Sequence, residues 1–314
     1  MSATCLNTMD PSASANDRPA EHLAPNLWMQ ASTHIEAVTD LIRQYTVAPG
    51  LIGDAADHHL ASGGKRFRPL FALAVGLAVN ADPRSLLHLA AAVEMLHNAS
   101  LVHDDLQDKD ELRRGRQAVW RRFGPETAVN LGDYFIAGTY AVLARMPAPG
   151  PVFAQLVALF ADSTRQVIAG QSAELAATRR LEIGPKDYRD IARGKSGVLM
   201  ALPVVGALRI AKVDPARIED AREAMLWLGV AYQIQDDLAD LFGLKDGRPP
   251  GVDLREGRMS LPILHYWHGE SQPLREAFAS FIRSAAGSDE TEIQRWLDRL
   301  RRSPAVDRCR TDFY

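Results

Sequence analysis

Cysteine is nearly absent: the 314 residues contain two, Cys5 and Cys309, one near each end. That excludes a disulfide framework or a cysteine metal cluster and fits a reducing cytosol. An excess of either charge is also missing. The 36 Lys and Arg against 39 Asp and Glu give a net charge of −3, so no sequence-independent attraction to nucleic acid or an anionic membrane is expected. Long apolar runs are lacking, since "FALAVGLAV" and "VLMALPVVGAL" are too short or too interrupted to span a bilayer. The first 25 residues mix Ser, Asn, Asp and Pro without an apolar core or a run of arginines, unlike a signal or transit peptide. Residues 1–26 are therefore expected to form a disordered tail, and residues 27–314 a single domain of a cytoplasmic protein.

Strand-like alternation is the next absence. From about residue 27 apolar residues recur three and four positions apart, which predicts an all-α protein. Helices are expected over 30–46, 50–61, 67–80, 84–107, 125–145, 151–178, 186–193, 196–211, 215–242, 258–268, 273–285 and 289–302. Loop signals such as "SGGK" at 62–65, "MPAPGP" at 146–151 and "KDGRPPG" at 245–251 separate them. Two of these helices, 84–107 and 215–242, are apolar on most faces, as helices inside a bundle are.

What the sequence has in plenty is acid in two places. "DDLQD" at 104–108 and "DDLAD" at 236–240 recur at an offset of 236 − 104 = 132 residues, each at the carboxyl end of a long apolar helix. Most acidic runs are solvated helix ends. Here, however, the i, i+1, i+4 spacing puts the first and third aspartates of each cluster on one face, at the helix end where the macrodipole disfavours negative charge. Two carboxylates about 5 Å apart repel by roughly 3 kcal/mol at an effective dielectric near 20, so a cation should offset them.

Hard divalent ions want oxygen ligands, and magnesium binds through one or two carboxylates plus substrate phosphates. A di-iron bundle needs Glu-x-x-His pairs on facing helices, and such a set is missing; His265 and His268 share a helix face without acidic partners close by in sequence. Magnesium bridging to a diphosphate is the favoured reading. Basic residues suited to phosphate stand beside glycines and acids: Lys65, Arg66 and Arg68 in "GGKRFRP", Arg113 and Arg114 after the first cluster, and Lys195 and Ser196 in "ARGKSG".

Taken in order, "GGKRFRP", "HNASLVHDDLQDKDELRRG", "LGDYF", "GQ" at 170–171, "KSG" at 195–197, "YQIQDDLADLFG" and "GVDLREGRMSLPIL" resemble the trans-isoprenyl diphosphate synthases, the head-to-tail prenyltransferases, over about residues 60 to 265. The resemblance implies an isoprenoid synthase fold of antiparallel helices around a central cavity with both aspartate motifs at its mouth. It implies three magnesium ions on Asp104, Asp105, Asp108, Asp236, Asp237 and Asp240. Arg113, Lys195, Ser196 and Gln233 would hold the allylic diphosphate or steady the cation. Lys65, Arg68, His97 and Arg114 would hold isopentenyl diphosphate. The allylic partner would be dimethylallyl, geranyl or farnesyl diphosphate, and the protein a homodimer touching through the helix around 125–145.

If the first motif's helix lines the cavity, Ala99 and Ser100 lie about 6–7.5 Å deeper than Asp104 at 1.5 Å per residue. Both are small, whereas short-chain members commonly have an aromatic there. A twenty-carbon product, geranylgeranyl diphosphate, is expected, with Leu96 and Met95 the next bulk below; a longer polyprenyl or a farnesyl product is the alternative. Two lysines familiar in the family are arginine here, Arg248 and Arg258, and arginine grips phosphate with a different geometry. After "LPIL" about two further helices are expected, roughly one fewer than usual. A terpene cyclase of the same fold would lack need of Lys65, Arg68 and His97, and a non-catalytic partner subunit would tend to lose an aspartate motif; both motifs are intact.

Overall fold

The structure is a computed structural model that describes residues 20–178, 180–244, 249–284 and 289–313. Its chain starts with α1 (Ala20–Ser32) and α2 (Ile35–Thr46), where one helix over 30–46 was expected. The break falls at Thr33 and His34, whose amides turn back to the Gln30 and Ala31 carbonyls. Since α1 begins at Ala20, residues 20–26 are helical and do not belong to the expected tail; the rest of that tail lies outside the described residues.

Next come α3 (Leu51–Leu60), α4 (Phe67–Ala78) and α5 (Pro83–Gln107). A two-residue hairpin, β1 (Leu112–Arg113) with β2 (Arg116–Gln117), follows the first acid cluster. Then run α6 (Val119–Phe123), α7 (Pro125–Leu143), α8 (Gly150–Ala177) and α9 (Pro185–Ala192). A π-helical turn, Arg193–Gly197, joins α9 to α10 (Val198–Ile210). The chain continues as α11 (Pro215–Phe242), α12 (Val252–Glu256), α13 (Leu261–Gly269), α14 (Gln272–Ser284), α15 (Glu290–Arg302) and α16 (Ala305–Phe313). Among the described residues three helices thus follow α13, not two, and Cys309 of α16 is fully buried.

The two motif-bearing helices begin alike. Asp82 caps α5 by accepting from the Ser85 amide at 2.8 Å, and Asp214 caps α11 by accepting from the Ala216 amide at 3.0 Å, each with proline at the first helical position. Substituting such a cap by alanine costs about 1 kcal/mol. Both helices then run into the interior. On α5, Leu89 to Leu96 are buried without a break, each large apolar side chain contributing about 2 kcal/mol of transfer free energy.

Two apolar cores result. The larger joins α2, α4, α5, α7, α8 and α10. The second gathers α11 and α13–α16 around Tyr266, Phe278 and Trp296, with Tyr266 5.0 Å and Trp296 5.1 Å from the Phe278 ring. Residues Pro185–Ile210 form one helical stretch long and apolar enough to cross a membrane, but 72% of its window is buried inside the fold. It is a core helix here.

Candidate active site

A cavity of about 1030 Å³ lies between α5, α8 and α11, with the π turn in its wall. Both acid clusters reach it. Of the six motif aspartates, Asp104, Asp108, Asp236 and Asp237 line it, whereas Asp105 and Asp240 do not. The i, i+4 argument therefore holds for the first cluster, where the first and third carboxylates share the cavity face.

Asp105 turns inward. Its Oδ1 accepts from Arg113 Nε at 2.8 Å and from Arg113 Nη2, so it anchors the hairpin arginine and offers nothing to the cavity. Burial pushes its carboxyl up to about 6, against the pull of Arg113. Asp240, expected among the metal ligands, accepts from the Asp253 amide at 3.1 Å and pins the start of α12. Sequence spacing could not distinguish it from Asp108, because the amide that captures it belongs to another helix.

The cavity-facing acids are matched to internal cations. Lys195 Nζ donates to Asp104 Oδ1 at 2.9 Å and also to Glu174. Although burial alone would lower it, these two carboxylates hold the Lys195 ammonium above its ordinary value. Arg258 sits 3.3 Å from Asp108 and 2.6 Å from Glu256. Burial and then Asp104 push the Asp108 carboxyl up to about 7, opposed by Arg258 and Lys195. Next to Lys195, Ser196 Oγ donates to Gln233 Oε1 at 2.9 Å and Gln233 Nε2 donates to Asp237 Oδ1 at 3.1 Å. Asp237 also accepts from the Leu261 amide at 2.9 Å, and burial pushes its carboxyl up to about 7.

Two glycine contacts bring these groups together. A Cβ on Gly170 of α8 would lie 2.7 Å from the Lys195 amide nitrogen, so only glycine lets the π turn approach closely enough to present Lys195 to Asp104. Likewise a Cβ on Gly229 of α11 would fall 2.3 Å from Gly197 Cα, and this crossing sets Ser196 beside Gln233. Local π geometry is a recurrent feature of functional sites.

The same cavity is also lined by Lys65, Arg68, His97 and Arg114. Arg68 Nη1 donates to His97 Nε2 at 3.1 Å, which leaves the His97 proton on Nδ1. Burial, and after it the Arg68 charge, hold His97 well below its ordinary value, so the ring is neutral. Arg68 Nε and His97 Nδ1 are buried without a protein partner among the described residues, as are both ends of the Gln171 amide in the cavity wall. Each such group left unpaired costs about 1–3 kcal/mol. The hairpin holding Arg113 and Arg114 is tied to α3 through His58, which takes a hydrogen bond from Arg122 at 2.8 Å and gives one to the Gln117 carbonyl at 2.8 Å.

Leu96, Ala99 and Ser100 line the cavity below the first motif. Met95, expected there as bulk, instead directs its side chain at Gly138 of α7 and is fully buried. Arg248 lies outside the described residues. Sequence reasoning gave no role to Glu174 and Glu256, the acidic partners of the two cations, or to Gln171, although Gln171 and Glu256 stand inside the motifs "GQ" and "GVDLREGRMSLPIL".

Among the described residues no three His, Cys, Asp or Glu side chains converge as a ready-made metal site. Facing walls with one or two carboxylates each fit magnesium, which completes its shell with water and substrate phosphate. They do not suit a softer metal held by protein alone.

An all-helical bundle whose cavity sets acidic pairs opposite one another and arginines beside them is the isoprenoid synthase fold. The comparisons make this specific. The sequence pattern of the polyprenyl synthetase family matches residues 49–300, and the chain belongs to that family and is a prenyltransferase that makes prenyl diphosphates. It is 30% identical over 282 residues to the geranylgeranyl pyrophosphate synthase of Geoglobus acetivorans, covering 88% of this chain and 84% of that one. It is 37% identical over 232 residues to the (2E,6E)-farnesyl diphosphate synthase of Mycobacterium bovis, covering 72% of this chain and 62% of the relative. Among solved structures, a polyprenyl synthase from Caulobacter crescentus complexed with calcium and isoprenyl diphosphate superposes with a TM-score of 0.82 at 29% identity, covering 91% of this chain and 86% of that one.

Proposed function

We propose that this chain condenses isopentenyl diphosphate head to tail with an allylic diphosphate, in a magnesium-dependent reaction, and releases mainly geranylgeranyl diphosphate. The observation that carries the reading is the pair of acid clusters facing one cavity, with unpartnered hydrogen-bond donors of Arg68 and His97 in the same lining. The magnesium ions, three by family expectation, would be held by Asp104, Asp108 and Asp236, with Asp237 adjacent. When bound, magnesium supplies Lewis-acid stabilisation of the leaving diphosphate.

The chain's own residues do the rest. Lys195, Arg258 and the free edge of Arg113 add fixed positive charge where the diphosphate gains negative charge as the allylic carbon–oxygen bond breaks. The Ser196 and Gln233 oxygens lie in the same wall and steady the positive carbon. Lys65, Arg68, Arg114 and the His97 Nδ1 proton hold isopentenyl diphosphate, so that its double bond meets the cation in line. A new carbon–carbon bond forms, and the released diphosphate takes the proton lost from the neighbouring carbon. No protein nucleophile is required.

The reading of length rests on the cavity wall below the first acid cluster, where Leu96, Ala99 and Ser100 line a hollow of about 1030 Å³. The small side chains of Ala99 and Ser100 favour twenty carbons over fifteen, although one relative makes the fifteen-carbon product. A homodimer through α7, whose Val129 is 45% exposed, belongs to the same proposal. The test is incubation with magnesium, isopentenyl diphosphate and farnesyl diphosphate, followed by chromatographic sizing. A twenty-carbon product supports the reading; absence of any elongated product refutes it.

A further inference from the structure

Three polar side chains sit in the interior with no role in the scheme above. His59 on α3, Asn98 and Glu94 on α5 are each 3–4% exposed, and burying such groups is costly unless they satisfy one another. They do so in a line. His59 Nε2 donates to Asn98 Oδ1 at 3.0 Å. Asn98 Nδ2 donates to the Glu94 backbone carbonyl at 2.7 Å and to Glu94 Oε1 at 3.3 Å. Glu94 Oε1 then accepts from Arg66 Nη1.

The end of the line is the basic loop. Arg66 has a left-handed backbone, φ +51°, immediately before α4, a conformation that costs a non-glycine residue about 1 kcal/mol or more. Glu94 neutralises its charge, so Arg66 is poorly suited to gripping a substrate anion, but its fixed side chain sets the path of the chain into Arg68 and out of Lys65. Phe135 packs on the His59 ring at 5.9 Å, which fixes the first member.

We infer that His59 is a positioning residue for the isopentenyl diphosphate pocket, acting through Asn98 and Glu94 on Arg66. This rests on the reaction proposed above and adds a residue remote from every reacting atom. Nothing in the line touches Lys195, Gln233 or the acid clusters, so the effect is confined to one substrate.

The test compares steady-state kinetics of wild-type protein with His59→Phe, His59→Gln and Arg66→Met, with circular dichroism and melting temperature as folding controls. The expected result for His59→Phe and Arg66→Met is an about five- to tenfold rise in KM for isopentenyl diphosphate, the size of one lost hydrogen bond. The allylic KM and kcat should stay within about twofold, and His59→Gln, which keeps a donor, should recover most of the loss. If His59→Phe fails to fold, Arg66→Met combined with Glu94→Gln is decisive, because it leaves no buried carboxylate without its cation and the Arg66 side chain is 15% exposed at the cavity edge. An unchanged isopentenyl KM, or an equal rise for both substrates, overturns the inference. Wild-type protein without condensing activity instead refutes the proposed reaction, so the two failures are distinguishable.

Discussion

Replacing Ala99 with tyrosine should shorten the product by about one isoprene unit. Ala99 is 1% exposed to solvent and lines the cavity between Leu96 and Ser100. Tyrosine adds about seven non-hydrogen atoms against the five carbons of one isoprene unit, so a ring in the hollow takes up about the room of the last unit added. A ring that enters the hollow costs little stability, whereas one forced into packed core would cost about 1–3 kcal/mol. The melting temperature distinguishes these outcomes. The assay is elongation from dimethylallyl diphosphate with excess isopentenyl diphosphate, then sizing of the dephosphorylated alcohols. The twenty-carbon peak should give way to fifteen carbons. A folded variant with an unchanged product distribution would refute the placement of Ala99 in the path of the growing chain.

Other consequences are as definite. Asp104→Asn should lower kcat by about a hundredfold to a thousandfold, the usual loss when a main electrostatic stabiliser is removed, with an unchanged circular dichroism spectrum; near-wild-type turnover would remove Asp104 from the metal set. Gly170→Ala should push the Lys195 segment away from the first acid cluster, destabilise the fold by about 1–3 kcal/mol and depress kcat more than either KM, all readable from one kinetic and one thermal series. The pH dependence concerns His59, whose pKa burial pushes down to about 3 from 6.5. Below the unfolded value the unfolded chain takes up a proton that the fold refuses. Stability relative to His59→Gln should therefore fall as pH drops from about 6.5 toward 3, by at most about 1.4 kcal/mol per unit. Denaturant titration of both proteins across that range checks the sign; a difference that grows as pH falls contradicts it.

The helices and the two acid clusters were legible because their signals are local. Periodicity of 3.6 marks a buried helix wherever it occurs, and i, i+4 spacing places Asp104 with Asp108 whatever surrounds them. What the sequence hid was tertiary. Asp240 has the same spacing as Asp108, yet the Asp253 amide captures it from α12, and Asp105 is claimed by Arg113 from a hairpin too short to show any period. Glu174 was overlooked because its partner Lys195 arrives through a close approach at Gly170 that no local pattern announces. The break at Thr33 and His34 lacked strong punctuation, and the polar line from His59 to Arg66 depends on α5 packing beside α3 and the loop before α4, which no local pattern announces.

The most direct test of the account is a crystal structure with manganese and a non-ionising thio analogue of farnesyl diphosphate. Anomalous scattering should place metal between the diphosphate and the carboxylates of Asp104 and Asp108 on one side and Asp236 on the other. Metal on one cluster alone, or a diphosphate bound away from both, would contradict it.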